Sequence, residues 1–174
     1  MATIAQHATP LGTMWSTWTE HGLFGLNWET PNVIEQTPSN TTAARMEQLN
    51  DCLETYFAMG KESFSEVILD PSGWAPFTTK VYQQCRNVMP GQTRTYKELA
   101  AMADSEKASR AVGAAMSRNR ILLVIPCHRI IAGSGHLRGF SAPGGLTTKR
   151  QLLELERQHC WPTDLFDCAT RARL

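Results

Sequence analysis

The sequence predicts an α/β unit over residues 1–72, a mainly α unit over residues 73–160 and a tail over 161–174. Three observations carry this reading. Period-two alternation sits before residue 72 beside one helical stripe, whereas helical stripes dominate afterwards. The turn-forming string Asp70-Pro71-Ser72-Gly73 marks a linker. Charge reverses at the same place. Residues 1–72 carry two basic side chains, Arg45 and Lys61, against nine acidic ones, a net of −7; residues 73–174 carry fifteen against seven, a net of +8.

At 174 residues and 42% hydrophobic, the chain is long enough for one well-buried domain or two small ones. No 18-residue apolar stretch exists, so no transmembrane span is predicted. Met1 to Thr9 lacks a basic patch followed by an apolar block, and no signal peptide is expected. Five cysteines (Cys52, Cys85, Cys127, Cys160, Cys168) without C-x-x-C spacing argue for reduced thiols in a cytosolic-type compartment. The basic second half would attract a polyanion, although chance segregation of solvated charge gives the same pattern.

Thr13 to Thr19 and Leu23 to Trp28, separated by Glu20-His21-Gly22, read as a β-hairpin with Trp15, Trp18 and Trp28 in its core. Thr30 to Thr41, with Pro31 and Pro38, reads as a loop. Met46, Leu49, Leu53, Tyr56 and Phe57 predict a helix over Ala43 to Met59, capped by Gly60. Phe64 to Leu69 reads as a further strand. Phe77, Lys80, Val81, Gln84, Cys85 and Val88 form one helical stripe ending at Pro90-Gly91. Thr95-Tyr-Lys-Glu98 has the form of a capping box for a helix from Tyr96 to about Met102. Asp104 or Ser105 then caps a helix to about Arg118, and the pair makes a helix-turn-helix pattern. Thr147 to Arg157 is the last predicted helix.

On the second helix of the pair, Ala108, Ala111, Val112 and Ala115 share a face that should pack inward. Opposite lie Arg110, Gly113, Ala114 and Ser117, small residues with one arginine that another body can approach closely. DNA fits that face, and so does a partner helix. The apolar run Ile121 to Ile125 should be buried as a core strand or its equivalent, stopped by Pro126. Cys127, His128 and Arg129 follow, and neighbouring positive charge would favour the thiolate. The alternative is a buried structural cysteine. Leu146, Leu152 and Leu153 share a face of the last helix, with Glu156 projecting between the latter two. An acid aimed at a core needs a partner, and His128 is the candidate; a solvated glutamate at a fraying end is the other reading. Glu156 would orient His128, which through a bound water takes the proton of Cys127.

Pro126-Cys-His-Arg129 after Leu-Val-Ile, together with Gly139, Gly144-Gly145 and Lys149-x2-Leu-Leu-x2-Glu156, resembles the active-site region of O6-alkylguanine-DNA alkyltransferases. Thr93-Arg-Thr-Tyr-Lys-Glu-Leu-Ala100 and Ser109-Arg-Ala-Val-Gly-Ala-Ala-Met116 are similar to that family's helix-turn-helix. The resemblance runs from about Phe77 to Glu156. It implies a ribonuclease-H-like small sheet with a helix before the helix-turn-helix unit, and repair of O6-alkylguanine, chiefly O6-methylguanine, in double-stranded DNA.

In that family the alkyl group moves irreversibly to the cysteine, here Cys127, so each molecule acts once. Asn119 matches an asparagine supporting the turn, and Glu156 and His128 match the carboxylate and base. The second helix enters the minor groove; Arg110 matches the residue filling the gap left by a flipped guanine, and Tyr96 the one that turns its phosphate. The implied DNA contacts also include Thr95, Ser109, Ala111, Gly113, Ala114, Ser117 and Arg129. The implied substrate pocket comprises Met116, Ile130, Gly139, Phe140 and Ser141, with the serine bonding the guanine O6. Three departures stand out: Phe140 where tyrosine is common, the two-residue insertion Ala142-Pro143, and Arg120 in place of a proline, counted as minor.

No cofactor is expected. Some family members hold a zinc in the N-terminal domain, but no cysteine precedes Cys52, and His7 and His21 lack partners at ligand spacing, so no metal is predicted. The expected form is a monomer without membrane association, cytoplasmic, or nuclear in a eukaryotic cell. Three rivals remain. An alkyltransferase-like lesion binder carries tryptophan where Cys127 stands. A helix-turn-helix transcription factor would need a linked sensor. A thiol hydrolase would need Cys127 and His128, adjacent on one segment end, to face each other.

Overall fold

The computed structural model describes residues 2–158. Strands β1 (Thr3–His7), β2 (Met14–Thr19) and β3 (Gly22–Asn27) form an antiparallel sheet in the order β1-β2-β3. The predicted hairpin is β2 and β3; β1 is an additional strand, pairing Thr3 with Trp18 and His7 with Met14. Of the three tryptophans assigned to the core, only Trp18 is fully buried, while Trp15 and Trp28 are half-buried. The indole N–H of Trp18 and His7 Nε2 both meet Ser16 Oγ at 2.8 Å, which satisfies three polar groups inside the sheet layer.

Helix α1 (Asn40–Met59) packs Leu49, Leu53 and Tyr56 inward. It starts three residues before the predicted Ala43, because Ser39 accepts a hydrogen bond from Thr42 N and caps it there. Its end is set by Gly60, at φ 63°, whose N–H donates to Tyr56 O at 2.7 Å. The predicted strand over Phe64 to Leu69 does not form. Phe64 is left-handed, at φ 56°. Arg86 Nη2 donates to the carbonyls of Phe64, Ser65 and Val67, so those acceptors are taken by a guanidinium instead of a ladder. Only Leu69 pairs, as a single bridge to Leu23.

Helix α2 (Pro76–Arg86) has proline in its first turn, where the missing N–H costs no bond. Its inner face is Thr78, Val81, Tyr82 and Cys85, so Lys80 falls outside the predicted stripe and is exposed. A two-residue strand, β4 (Arg94–Thr95), leads into α3 (Tyr96–Met102), whose predicted capping box is present: Glu98 N donates to Thr95 Oγ1 and Thr95 N to Glu98 Oε2. Helix α4 (Ser109–Ser117) begins four or five residues after the predicted cap. Asp104 instead adopts a left-handed conformation, at φ 56°, and turns the chain over 103–108. The inner face of α4 is Val112, Ala115 and Met116; Ala111, assigned inward, is exposed.

The apolar run Ile121 to Ile125 is wholly buried but is not a strand. Ile121 bridges Leu26 of β3, Leu123 turns left-handed at φ 67°, and Ile125 N returns to Ile121 O at 3.0 Å. A 3-10 turn (Cys127–Arg129), strand β5 (Ile130–Ile131, parallel to β4) and helix α5 (Leu146–Gln158) complete the described chain. Both halves share one hydrophobic core, running from Met14 and Trp18 through Tyr56 and Val81 to Leu152. Arg120, counted as a minor departure, is a clamp between the halves. Its Nε donates to Phe24 O at 2.6 Å, its Nη2 donates to the Asp70 and Ser72 carbonyls, and its guanidinium lies 3.7 Å over the Phe24 ring.

At Gly60 the end of α1 touches α5 so closely that an added Cβ would lie 2.6 Å from Leu155 O. Gly60→Ala combines that clash with a left-handed backbone. It is expected to destabilise the protein by about 1–3 kcal/mol in chemical denaturation at neutral pH.

Candidate active site

Cys127 is held at the start of the 3-10 turn by a structure built around Asn119. Asn119 Oδ1 accepts from Ile121 N at 3.0 Å, and its Nδ2 donates to Ile125 O at 2.8 Å and to Cys127 Sγ at 3.3 Å. One amide thus closes both ends of the irregular apolar segment and supplies a hydrogen bond to the sulfur, whose side chain is almost fully buried. Burial pushes the Cys127 thiol above its ordinary value, against the opposing pulls of Asn119 and Lys149. The resting group is therefore the thiol. The positive charge of Lys149 does not make it a thiolate, because burial outweighs that pull; Arg129 is paired with Glu156.

Glu156 of α5 is the centre of the network. It is 1% exposed. Oε1 accepts from His128 Nε2, Tyr56 Oη and Arg129 Nη2, each at 2.8 Å; Oε2 accepts from Gly91 N at 3.1 Å and Arg129 Nε at 3.0 Å. Burial works against the charge, but the His128 and Arg129 pairings outweigh it and hold the carboxyl down at about 2. Burial is also the largest influence on His128, lowering it below 6.5 although Glu156 pulls the other way, so the imidazole is neutral near pH 7. With Nε2–H donated to Glu156, Nδ1 carries the lone pair, and this buried atom has no protein partner. No direct hydrogen bond joins the Cys127 thiol to the His128 imidazole, although the His128 backbone N–H lies against the sulfur.

Arg129 was expected among nucleic-acid contacts, and this is corrected. It is 1% exposed, Nε and Nη2 bind Glu156, and Nη1 donates to Val88 O at 2.7 Å, so no donor group is left facing outward. Ile130, expected to line a substrate pocket, is fully buried, and its carbonyl accepts from Lys149 Nζ at 2.7 Å. Met116 is buried, while Gly139 and Ser141 are exposed on the loop between β5 and α5. Phe140 is half-buried, its ring 6.3 Å from the His128 ring and edge-on. Ser141 and Asn119 line a cavity of about 150 Å³ with Asn27, Trp28, Glu29 and Leu122.

Arg110, Ala111, Ala114 and Ser117 are exposed along α4, with Ser109 and Gly113 half-buried beside them. Tyr96 opens α3, packed beside Gly113, and Thr95 spends its hydroxyl on the α3 cap. Two contributors escaped the sequence reading. Tyr56 gave no local signal, since its partner lies 100 residues away. Lys149, fully buried, also donates to Arg138 O at 3.1 Å. Its signal was present: Lys149, Leu152 and Glu156 fall at three- and four-residue spacing on one helical stripe. Among the described residues no cluster of three or more His, Cys, Asp or Glu side chains is arranged to hold a metal ion.

Stability should decline as acid is added below about pH 6.5. Glu156 titrates at about 2 folded against 4.5 ordinarily, so its contribution is full above pH 4.5 and disappears as pH falls towards 2. His128, lowered from 6.5, acts with the same sign, because the unfolded chain takes up its proton first. Glu156→Gln should cost about 3 kcal/mol at pH 7 and flatten the lower part of the curve, read by urea unfolding across a pH series.

Comparison with known proteins adds independent findings. Residues 76–158 match the family model described as 6-O-methylguanine DNA methyltransferase, DNA binding domain. The chain is 44% identical over 104 residues to a methylated-DNA–protein-cysteine methyltransferase of Methanosarcina acetivorans, covering 60% of this chain and 64% of that protein. It is 43% identical over 116 residues to the like-named protein of Mycobacterium leprae, covering 66% and 68%. The matched stretch thus spans just under two thirds of the first relative's length. The fold matches a crystal structure of Mycobacterium tuberculosis OGT in complex with DNA at a TM-score of 0.75 and 32% identity, over 94% of this chain and 97% of that one.

Proposed function

The chain belongs to the methylated-DNA–protein-cysteine methyltransferase family, and from that premise we propose that Cys127 accepts the alkyl group of O6-alkylguanine, chiefly O6-methylguanine, in double-stranded DNA. The observation that carries this is the pairing of a buried thiol, fixed by Asn119, with a neutral His128 whose Nε2–H is pinned to an ionised Glu156. In the reaction Sγ attacks the alkyl carbon, the carbon–O6 bond breaks, and guanine leaves as its O6-stabilised anion. The thiol proton passes through a solvent molecule to Nδ1 of His128, the lone-pair nitrogen. Because the thiol rests protonated, this base sets how readily the nucleophile forms. The product is a thioether, and nothing in the site offers a step that breaks it, so each molecule acts once.

Helices α3 and α4 are read as a helix-turn-helix that enters the minor groove, after a ribonuclease-H-like sheet unit over 1–72. The exposed face Arg110, Ala111, Ala114 and Ser117 supports close approach to a backbone, and Arg110 is its one long side chain. Chemistry on a base requires taking it out of the duplex. Arg110 fills the space left by the flipped guanine, and Tyr96, at the head of α3, turns its phosphate. Phe140 and Ser141 close over the base, the serine bonding O6. The protein acts as a monomer and needs no cofactor. A lesion-binding role without transfer is disfavoured by the thiol at position 127.

Exposure to a duplex bearing O6-methylguanine should raise the intact mass by one methyl group, carried on the peptide containing Cys127. Cys127→Ser should abolish transfer with duplex binding retained. Modification at Cys52 or Cys85 instead would overturn the assignment. Arg110→Ala should slow repair of duplex by about 10- to 100-fold while sparing reaction with free O6-benzylguanine, which needs no flipping. Equal losses on both substrates would assign Arg110 a structural role.

A further inference from the structure

Resting on the alkyl-transfer reading of Cys127, we infer that Tyr56 is a positioning residue of the reaction: its hydroxyl, carried in on α1, tunes the basicity of His128 by sharing the Glu156 oxygen that His128 binds. Tyr56 is fully buried. Its Oη donates to Glu156 Oε1 at 2.8 Å and lies 3.4 Å from His128 Nε2. Its ring is fixed edge-on to Phe57, with centroids 5.3 Å apart, and tilted against Phe64 at 5.5 Å. The hydroxyl therefore has one place to be.

Three side chains compete for a single carboxylate oxygen. Oε1 receives Tyr56, His128 and Arg129, more donors than its lone pairs can serve equally. Every donor drains negative charge that would otherwise stabilise protonated His128. Tyr56 does so as a neutral group, and burial together with the adjacent Glu156 keeps its hydroxyl protonated, well above its ordinary value of 10. The other ionisable groups around the pair are Arg129 and Cys127 on the 3-10 turn, Lys149 on α5 and, beyond Cys127, Cys85 on α2, which burial keeps as a neutral thiol. Of the donors to Oε1, Tyr56 is the one removable without unpairing Arg129 from Glu156 or deleting the base itself. The hydroxyl thus keeps His128 a neutral base at lower pH than Glu156 and Arg129 alone would allow.

The test is the single-turnover rate of the full chain with O6-benzylguanine from about pH 5 to about pH 9, with thermal unfolding recorded beside it. In Tyr56→Phe, which retains the ring, the acid limb should move to higher pH. The variant should be about tenfold slower near pH 6, with the difference shrinking towards pH 8. Site-specific 3-fluorotyrosine at position 56, a stronger donor of nearly the same shape, should move the limb to lower pH and serves if the phenylalanine variant fails to fold. Limbs that superimpose on the wild type, or a uniform loss at every pH with the limb in place, overturn the inference and leave Tyr56 a packing residue. An unreactive wild type overturns the transfer reading itself.

Discussion

The structure depends on one uncomfortable placement: the Glu156 carboxylate, buried in the core. An unpaired buried charge is so costly that the surrounding groups must be supplied before the fold is stable. They come from three separate parts of the chain: Tyr56 from α1, Gly91 from the turn after α2, His128 and Arg129 from the 3-10 turn. Satisfying Glu156 therefore brings α1, α2, the 3-10 turn and α5 into one register. The same contacts that cancel the cost also fix the tautomer of His128, so stability and the proposed chemistry share a network.

Asn119 solves a second problem. A five-residue apolar run can be buried only if its backbone polar groups find partners. In a sheet, neighbouring strands would supply them; here β3 offers a single bridge at Leu26, the run bonds back on itself through Val124 N and Ile125 N, and Asn119 serves its two ends, Ile121 N and Ile125 O, from its own side chain. The left-handed Leu123 is accepted within that arrangement, since the turn is over-determined at both ends. Cys127 inherits its position from this closure. A nucleophile at the end of a regular strand would have been held by the sheet, whereas this one is held by one amide.

The two halves meet through side chains as well as through the core. Arg86 gathers three carbonyls from the segment before the linker, and Arg120 gathers three from β3 and the linker itself. Both arginines lie after residue 73 and bind the acidic first half by its backbone oxygens, not by its carboxylates. The charge reversal visible in the sequence is thus not an electrostatic seam between the halves. It leaves the acidic residues of the first half and the basic face of the second largely to solvent.

Local patterns determined what local physics controls. The hairpin, α1, α2, the Thr95–Glu98 capping box and α5 were legible because alternation, helical stripes and caps act within a few residues. Glu156 stood out as an acid among leucines. The strand read over Phe64 to Leu69 did not form because a strand needs a partner and Arg86 took its carbonyls, while Ile121 to Ile125 is buried as expected but as an irregular equivalent of a strand, closed by Asn119. Arg129 looked like a surface cation, and only the tertiary structure shows it closing on Glu156. The partners of Tyr56 and Arg120 were invisible for the same reason: they lie far along the chain, up to 100 residues away. Sequence marks which groups are unusual where they stand; which of them neutralise one another is decided by packing, because a buried charge is satisfied in space and not along the chain.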